Sequence, residues 1–311
     1  MEPVVTILMA AYNGEKYISE QIESILNQTY GSWKLVIQDD CSTDKTCEIA
    51  GQYVRRYYGR ISLIRRKTPS GSAKDNFFSM LRYADTEYIM TCDQDDVWLP
   101  YKIEVTLQKM RELEEKAGSG RPLLVHTDLR VADSGLDLLA DSFMAYQKLD
   151  GRRNGLNNLL IQNIVTGCSL MINRSLADMV SEIPEKAIMH DWWFALIASA
   201  FGSIGFVDKS TVLYRQHPGN EVGAKNTGSA IYKLRRLLQA EQLQSALNAT
   251  YAQAGQFMDM YREGLSEGQV KMITAYLSIP GLNKIDRVKT IRRYKFWKTG
   301  LFRRFGQILL T

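Results

Sequence analysis

Short apolar runs alternate with longer amphipathic segments through the first hundred residues. The run Val4–Ala10 is almost continuously apolar, as expected of a strand covered on both faces. After the break at Tyr12-Asn13-Gly14, isoleucines recur at helical spacing through Glu15–Asn27. This alternation predicts an α/β fold with a parallel or mixed sheet and helices on both faces. The next predicted strands and helices are, in chain order, Lys34–Gln38, Thr43–Tyr58, Ile61–Ile64, Ala73–Ala84 and Tyr88–Cys92.

The second half of the chain is less regular. We predict strands at Leu123–Asp128 and Gly167–Ile172 and a helix at Met189–Ala200 that begins with a polar pair. Two further apolar runs, Ile204–Val207 and Thr211–Tyr214, are predicted to pair with each other around the polar residues between them. From about residue 229 to the end the pattern is helical.

Polar clusters follow three of the predicted strands. They are Tyr12-Asn13, Asp39-Asp40 and Asp93–Asp96. Ligands in open α/β sheets bind outside the carboxyl ends of the strands. One acidic turn after a strand would be unremarkable, but three polar clusters on one edge predict a binding site.

The run Asp93-Gln94-Asp95-Asp96 is a candidate metal site. Alternating carboxylates on a turning backbone can converge on one point, and oxygen ligands suit Mg²⁺ or Mn²⁺. A nucleotide-sugar donor requires such a cation, because its two phosphates must be bound and stabilised as they leave. A solvated acidic turn is the alternative, although the packed continuation at Trp98 and Pro100 favours function. Asp39-Asp40 has acceptors for a base or ribose, and helix capping is its structural alternative.

Composition and charge limit the class of protein. The chain has 311 residues, 45% of them hydrophobic and 23% charged, which is ordinary for a globular protein with a substantial core. Its four cysteines form no CxxC pair, so reduced thiols in a cytoplasmic protein are expected. No apolar stretch is long enough for a signal peptide or a membrane span. The absence of GxGxxG and GxxxxGK[ST] motifs disfavours dinucleotide dehydrogenases and P-loop NTPases.

Several spaced motifs occur along the chain: Ile7–Gly14, Gln21–Leu26, Gln28–Tyr30, Asp39–Asp44, Cys92–Trp98, Thr166–Ser169, His190–Trp193 and Tyr214–His217. The early motifs resemble those that open family 2 glycosyltransferases, and over about the first hundred residues the match is close. The later motifs agree with the same family, and the full set is most similar to bacterial rhamnosyltransferases of cell-wall and capsular polysaccharide assembly. The resemblance implies the GT-A fold, a nucleotide-binding sheet with a DxD metal motif.

The same resemblance implies roles for individual residues and for whole segments. Asp191 matches the family's catalytic base, whereas Cys41 and His190 stand where glycine and glutamate are usual. Residues 1–223 would form the catalytic domain, with a nucleotide-binding half (1–100) and an acceptor half (101–223), and residues 224–311 a helical extension beyond a boundary near 223–228. The other implied roles are donor contacts by Ala11, Tyr12, Glu15, Asp40, Asp93 and Gln94, metal contacts by Asp95 and His217, and acceptor contacts by Gly167 and Cys168.

Transfer with inversion needs a carboxylate that accepts a proton from the attacking hydroxyl. Asp191 suits this role because its apolar neighbours would exclude water and raise its basicity. Trp192 or Trp193 could stack on an apolar sugar face, but adjacent helical positions cannot both face one ligand, so we expect one of the two in the core. The leaving diphosphate would be stabilised by the metal and by Arg215 or His217. Lys74 and Asn76 could reach a phosphate or the base, and a surface position for Lys74 is equally compatible with the sequence.

The end of the chain is strongly basic. Residues 284–304 contain nine Lys or Arg against the single acid Asp286, interspersed with aromatic residues. This pattern favours adsorption to an anionic membrane surface at the inner face of the cell membrane. A charged surface whose aromatics pack on the main domain or on a second subunit is the alternative, and nucleic-acid binding is disfavoured.

The sequence therefore predicts a metal-dependent inverting glycosyltransferase. The favoured donor is dTDP-L-rhamnose, and the favoured acceptor is a hydroxyl of a lipid-linked saccharide. A UDP-sugar enzyme of the same fold, with galactose or N-acetylglucosamine as its sugar, is the alternative within the class. A nucleotide-sugar-binding scaffold without turnover is the alternative outside it.

Overall fold

A nine-stranded sheet organises the protein, in the order β3-β2-β1-β4-β8-β6-β9-β5 with β7 paired to β6. In the computed structural model the described residues are 2–118, 120–220 and 240–310. Strands β1 to β4, β6 and β9 run parallel, whereas β5, β7 and β8 are antiparallel to their neighbours. The strands are β1 (Val5–Ala11), β2 (Trp33–Asp39), β3 (Ile61–Arg65), β4 (Tyr88–Asp93), β5 (Val97–Trp98), β6 (Leu123–Ala132), β7 (Leu138–Ala140), β8 (Leu170–Asn173) and β9 (Ser203–Arg215).

Helices cover both faces of this sheet, which confirms the predicted α/β class. Short 3₁₀ turns at 81–83, 167–169, 262–264 and 279–281 connect some of them. The α-helices are α1 (Ile18–Leu26), α2 (Thr46–Arg56), α3 (Ala73–Met80), α4 (Lys102–Ala117), α5 (Phe143–Gln147), α6 (Leu156–Leu159), α7 (Arg174–Ala177), α8 (His190–Phe201), α9 (Ala240–Tyr261), α10 (Glu267–Ser278), α11 (Lys284–Tyr294) and α12 (Leu301–Leu310).

The predicted elements of the first hundred residues are confirmed within a few residues, but the hairpin predicted after α8 is wrong. Ile204–Val207 and Thr211–Tyr214 belong to one continuous strand, β9, which pairs in parallel with β6. The register of the pairing between β6 and β9 shifts at Asp128, opposite Asp208 and Lys209, the polar residues that suggest a turn in the sequence. A bulge of this kind accommodates polar positions without ending the strand. The strand predicted at Gly167–Ile172 starts only at Leu170, after a 3₁₀ turn.

The C-terminal helices pack on the α/β domain. Phe257 of α9 meets Trp193 of α8 edge to face, with ring centroids 5.5 Å apart, and both side chains are fully buried. Phe296 is also fully buried, and Tyr294 and Trp297 pack against the same core. These three aromatic residues of the basic segment therefore face the protein, as in the alternative stated for that segment. The predicted domain boundary near 223–228 lies outside the described residues.

Candidate active site

The three predicted polar clusters meet at the carboxyl edge of the sheet. Ala11, at the end of β1, pairs with Asp39 at the end of β2, and Ala10 pairs with Asp93 at the end of β4. The carboxyl end of β9 reaches the same edge, because β9 runs parallel to β6 and β6 parallel to β4 through the antiparallel β8. Residues far apart in sequence are thereby brought to one rim.

Tyr12 projects from this rim, and its backbone is fixed by Gln94. The Tyr12 N–H donates to Gln94 Oε1 (3.0 Å), and Gln94 Nε2 donates to the Tyr12 carbonyl (2.7 Å). Gly14 leaves room for this pair, because a Cβ there would lie 2.0 Å from Gln94 Oε1 and would displace the Gln94 amide. The amide of Gln94 thus shapes the loop, whereas the Tyr12 side chain is 56% exposed and accessible to a ligand.

Asp40 and Glu15 are both engaged with neighbouring loops. Asp40 accepts hydrogen bonds from the Ser70 N–H (2.7 Å) and hydroxyl (2.6 Å) and pairs with Arg66 Nε at 3.1 Å. Glu15 accepts from the N–H of Lys45 at 3.0 Å, just before α2. Their predicted donor contacts stay predictions, and the structure gives both residues a role in holding the rim together.

Lys74 and Asn76, on α3, make contacts within the protein. Lys74 Nζ donates to the Glu185 carbonyl at 3.1 Å. Asn76 is 2% exposed, and its Oδ1 accepts from Gln38 Nε2 of β2 at 2.5 Å. The Asn76 contact docks α3 on the sheet, and the Lys74 contact joins α3 to the loop before α8. A direct contact of either side chain with a phosphate or base stays a prediction.

Arg215, at the end of β9, holds the acidic turn from beneath. Its N–H donates to Asp96 Oδ1 (3.0 Å), and its Nε donates to the Asp95 carbonyl (2.7 Å). Its remaining guanidinium nitrogens bond the Ser134 carbonyl and the carboxylate of Glu20. The prediction that Arg215 contacts the leaving diphosphate is not supported here: Arg215 is only 2% exposed and its guanidinium is bonded within the protein, where it stabilises the turn.

Two residues of the first helical segment, Tyr17 and Glu20, complete this support and were missed by the sequence analysis. The centroid of the Tyr17 ring lies 4.7 Å from the centroid of the His217 ring. The guanidinium carbon of Arg215 lies 4.7 Å from the same Tyr17 centroid. Glu20 forms the ion pair with Arg215. The contacts join positions about two hundred residues apart, so no local sequence signal could reveal them.

Asp95 and His217 converge at the rim. Asp95 Oδ2 lies 2.8 Å from His217 Nε2, and the two side chains are 15% and 12% exposed. This distance is that of a direct hydrogen bond between the two groups. It also matches the separation of about 3 Å between adjacent ligands of an octahedral ion with bonds of about 2.1 Å, so both atoms could bind one cation in place of that hydrogen bond. A carboxylate oxygen with an imidazole nitrogen is a donor set that Mn²⁺ accepts. These two residues therefore fit the predicted metal.

A second group of potential ligands lies deeper. Atoms of Asp93, Asp96 and Cys168 lie within 4.8 Å of one another. Burial raises the pKa of the Cys168 thiol well above its usual range, so the sulfur stays protonated. Burial likewise raises the pKa of Asp96, and the nearby Asp95 and Asp93 add to the effect. A hard divalent cation therefore fits Asp95 and His217 better than this cluster.

Asp191 opens α8 in a dry environment. Burial raises its pKa to about 7, although hydrogen bonds from Trp192, Gly167 and Asn163 to the carboxylate oppose this rise. Oδ1 accepts from the Trp192 N–H at 2.5 Å and from Asn163 Nδ2 at 3.1 Å. Asn163, another residue missed by the sequence analysis, is itself fixed through its Oδ1 by the Val165 N–H (2.9 Å). A carboxylate with a pKa near neutrality is suited to general base catalysis.

A single turn, Gly167–Ser169, separates Asp191 from the acidic turn. The Gly167 N–H donates to Asp191, and the next residue, Cys168, contacts Asp96. Thr91 of β4 fixes the turn by donating to the Gly167 carbonyl at 2.6 Å. Gly167 and Cys168 are both buried, so this turn positions Asp191 and Asp96 relative to each other, and its predicted contact with the acceptor stays a prediction.

The aromatic neighbours of Asp191 have different environments. Trp193 is fully buried, which places it in the core and leaves Trp192 as the candidate for sugar stacking. Trp192 is half-buried, and its indole N–H donates to the Leu159 carbonyl at 2.6 Å. His190 stacks on Phe77 with ring centroids 4.0 Å apart, and burial lowers its pKa to about 3, so the imidazole next to the base is neutral.

Comparison with known proteins identifies the family of this chain. The family model described as Glycosyl transferase family 2 matches residues 6–176. The dTDP-rhamnosyl transferase RfbG of Shigella flexneri is 28% identical over 236 residues, covering 72% of this chain and 77% of the relative. The putative glycosyltransferase EpsE of Bacillus subtilis is 36% identical over 129 residues, 42% of this chain and 46% of EpsE.

Solved structures share the fold. S. aureus TarS (residues 1–349) in complex with UDP-GlcNAc superposes with a TM-score of 0.59 at 16% sequence identity, covering 93% of this chain and 80% of TarS. The mixed sheet, the flanking helices and the helical C-terminal region are those of a GT-A-type protein. Together with the family match over more than half of its length, this shows that the chain belongs to glycosyl transferase family 2.

Proposed function

We propose that this glycosyltransferase of bacterial polysaccharide synthesis transfers L-rhamnose from dTDP-L-rhamnose, with inversion, to a hydroxyl of a lipid-linked saccharide. The observation that carries the proposed chemistry is the placement of Asp191 and the acidic turn on either side of the Gly167–Ser169 turn. A base on one side and a charge-binding group on the other are what in-line attack at an anomeric carbon requires.

In the proposed reaction each residue of the site has its own role. Asp191 accepts the proton of the acceptor hydroxyl as the new bond forms, and Asn163 holds its carboxylate in position. Tyr12 contributes an exposed ring at the nucleotide side of the rim. Asp95 and His217 would hold a divalent cation, which when bound supplies positive charge to the diphosphate. Tyr17 and Arg215 fix those two ligands from below.

The rhamnose donor is supported by the Shigella relative, which is named as a dTDP-rhamnosyl transferase and of which the chain covers 77%. A UDP-sugar donor has its own support in Escherichia coli WfgD, a UDP-Glc-dependent glucosyltransferase that is 28% identical over 179 residues. A donor panel measured with and without Mn²⁺ separates the two. Faster release of dTDP than of UDP, with an inverted product by NMR, is expected, whereas donor binding without any turnover would indicate a scaffold.

We also propose that the basic segment 284–304 adsorbs to anionic lipid at the inner face of the membrane and so brings the site to its acceptor. Among the described residues, no helix is both long and apolar enough to cross a membrane. Arg292, Arg293 and Lys295 are exposed, while the neighbouring aromatics Tyr294 and Phe296 pack inward. The attraction is therefore electrostatic and should weaken with salt.

Vesicle binding tests the membrane proposal. The variant Arg292→Glu/Arg293→Glu is expected to lose binding to vesicles that contain phosphatidylglycerol, and wild-type binding is expected to fall between 0.05 and 0.5 M salt (roughly the range over which screening grows strong). Arg152→Glu, an exposed arginine paired with Asp208, is the matched control. Equal partitioning of both variants and the wild type would refute the proposal.

A further inference from the structure

The loop that leads to Asp191 is held by the C-terminal helix α9. This loop, residues 178–189, is irregular and joins α7 to α8. It ends at Met189, a residue without the side-chain oxygen that usually caps the start of a helix and fixes the direction of the entering chain. Asp191 lies in the first turn of α8, so its position depends on what holds the loop.

Two glutamines of α9 bind this loop through its backbone. Gln256 Oε1 accepts from the Lys186 N–H at 2.6 Å, and Gln253 Oε1 accepts from the Ile188 N–H at 2.8 Å. The two glutamines are three residues apart and therefore lie on one face of the helix. Ile188 stands three residues before Asp191, so the second bond fixes the chain next to the start of α8.

The loop has further contacts with α9 and with α3. The Tyr261 hydroxyl, at the end of α9, donates to the Met179 carbonyl at 3.0 Å and accepts from Trp193 Nε1 at 3.3 Å. Lys74 Nζ, on α3, donates to the Glu185 carbonyl at 3.1 Å. Helix α9 therefore binds the loop near both of its ends and also binds α8 itself.

Gln253 is an unusual residue for the buried face of α9. It is fully buried on a side of the helix that also buries Leu247, Ala254 and Phe257. Among the described residues, its Nε2 has no hydrogen-bond partner. Because an unpaired buried donor lowers stability, packing alone favours an apolar residue at this position. What the glutamine adds is the acceptor for the Ile188 N–H.

We propose that Gln253 and Gln256 are positioning residues for Asp191 that act through the backbone of the 178–189 loop. The two bonds hold the first turn of α8 where the Asp191 carboxylate meets Asn163 and faces the acceptor hydroxyl. The C-terminal helices thereby serve the reaction from outside the site. This role rests on the proposed function of Asp191 as the base, whose displacement by about 1 Å would slow transfer by up to about a hundredfold.

Removing the acceptor atom of Gln253 tests this role. In Gln253→Met, which keeps the length of the side chain, kcat is expected to fall about tenfold while the donor KM stays within about twofold, because the base acts in the transition state. Gln253→Glu is expected to keep most of the wild-type kcat, because a buried, protonated carboxyl group has the shape of the amide and still offers an oxygen to Ile188.

Gln244→Met is the matched control, because Gln244 lies on the same helix and its amide bonds only along that helix, to Asn248 at 3.2 Å. Its kcat should equal that of the wild type. The rates are those of dTDP release from dTDP-L-rhamnose, or of UDP release from UDP-glucose if the donor panel selects that sugar.

The Asp191→Asn background separates positioning from a general loss of structure. Adding Gln253→Met to Asp191→Asn is expected to cause no further loss of transfer, because the group that Gln253 positions is already gone. If Gln253→Met does not fold, Gln256→Met decides, since Gln256 is only half-buried; its kcat is expected to fall about threefold.

The outcomes distinguish this inference from the proposed function. With Asp191→Asn inactive, an unchanged kcat in Gln253→Met, or in Gln256→Met where it alone folds, would overturn the inference alone. A Gln253→Glu protein as slow as Gln253→Met, or an equal further loss in the Asp191→Asn background, would overturn it as well. Transfer by Asp191→Asn at the wild-type rate would instead refute the proposed function, and the inference with it.

Discussion

Replacing Asp191 by Asn is expected to abolish transfer and to stabilise the protein at alkaline pH. In the folded protein burial raises the pKa of Asp191 to about 7 from an ordinary value of 3.8. Between these two values the folded state binds more protons than the unfolded state, so stability falls as pH rises through this window. Above pH 7 the protein bears the full free-energy cost of an ionised, buried carboxylate at Asp191. A pKa shift of about three units costs the wild type about 4 kcal/mol of stability. An amide oxygen is a weaker hydrogen-bond acceptor than a carboxylate, which offsets about 2 kcal/mol of this, so we expect Asp191→Asn to be more stable than the wild type by about 2 kcal/mol.

Calorimetry and kinetics together check this prediction. The melting temperature of Asp191→Asn should exceed that of the wild type by a few degrees at pH 8 and by much less at pH 5, because protonation removes the charge from the wild type. Transfer should fall at least about a hundredfold in the variant. Wild-type kcat/KM should drop about tenfold per pH unit below 7, since the base must be ionised.

The matched control is Asp141→Asn, whose side chain is 88% exposed and which should alter neither quantity. A stability difference that is the same at pH 5 and pH 8 would contradict the buried, raised-pKa carboxylate. A wild-type rate that stays flat from pH 5 to pH 8 would contradict the role of Asp191 as the base.

Three further substitutions probe the surroundings. Tyr17→Leu is expected to raise the Mn²⁺ concentration for half-maximal activity several-fold with little loss of stability, because the ring supports His217 from outside the reaction; an unchanged metal titration would count against it. Trp193→Ala should cost about 3–5 kcal/mol in urea unfolding, as for a fully buried aromatic, and a loss below about 1 kcal/mol would show that the position is not core. Gly14→Ala should displace the Gln94 amide from the Tyr12 backbone and raise the donor KM, and an unaltered KM would contradict that role of the contact.

The strands and helices of the first hundred residues could be predicted because their signals are local. Strands buried on both faces give continuous apolar runs, and parallel pairing brings their polar ends to one edge. The second half lacked such signals. Asp208 and Lys209 interrupt an apolar run and suggest a turn, but they lie within β9 near a register shift in its pairing with β6. Nothing in the segment itself indicates that pairing.

The sequence suggests candidate residues but not the packing around them. The motifs pointed to Asp95, Asp191 and His217, whereas the burial of Arg215 and the support from Tyr17 depend on packing between the two ends of the domain. Partial exposure of Trp192 and full burial of Trp193 could be expected from helical geometry, but which of the two faces outward could not.

The proposed mechanism requires that one cleft holds both the cation and Asp191. A crystal structure of the protein with Mn²⁺ and dTDP, with the metal located by its anomalous scattering, measures this directly. We predict a manganese peak bonded to Asp95 and His217, with the Asp191 carboxylate facing the open space beyond the terminal phosphate. A peak elsewhere, or an Asp191 carboxylate turned away from the nucleotide, would contradict it.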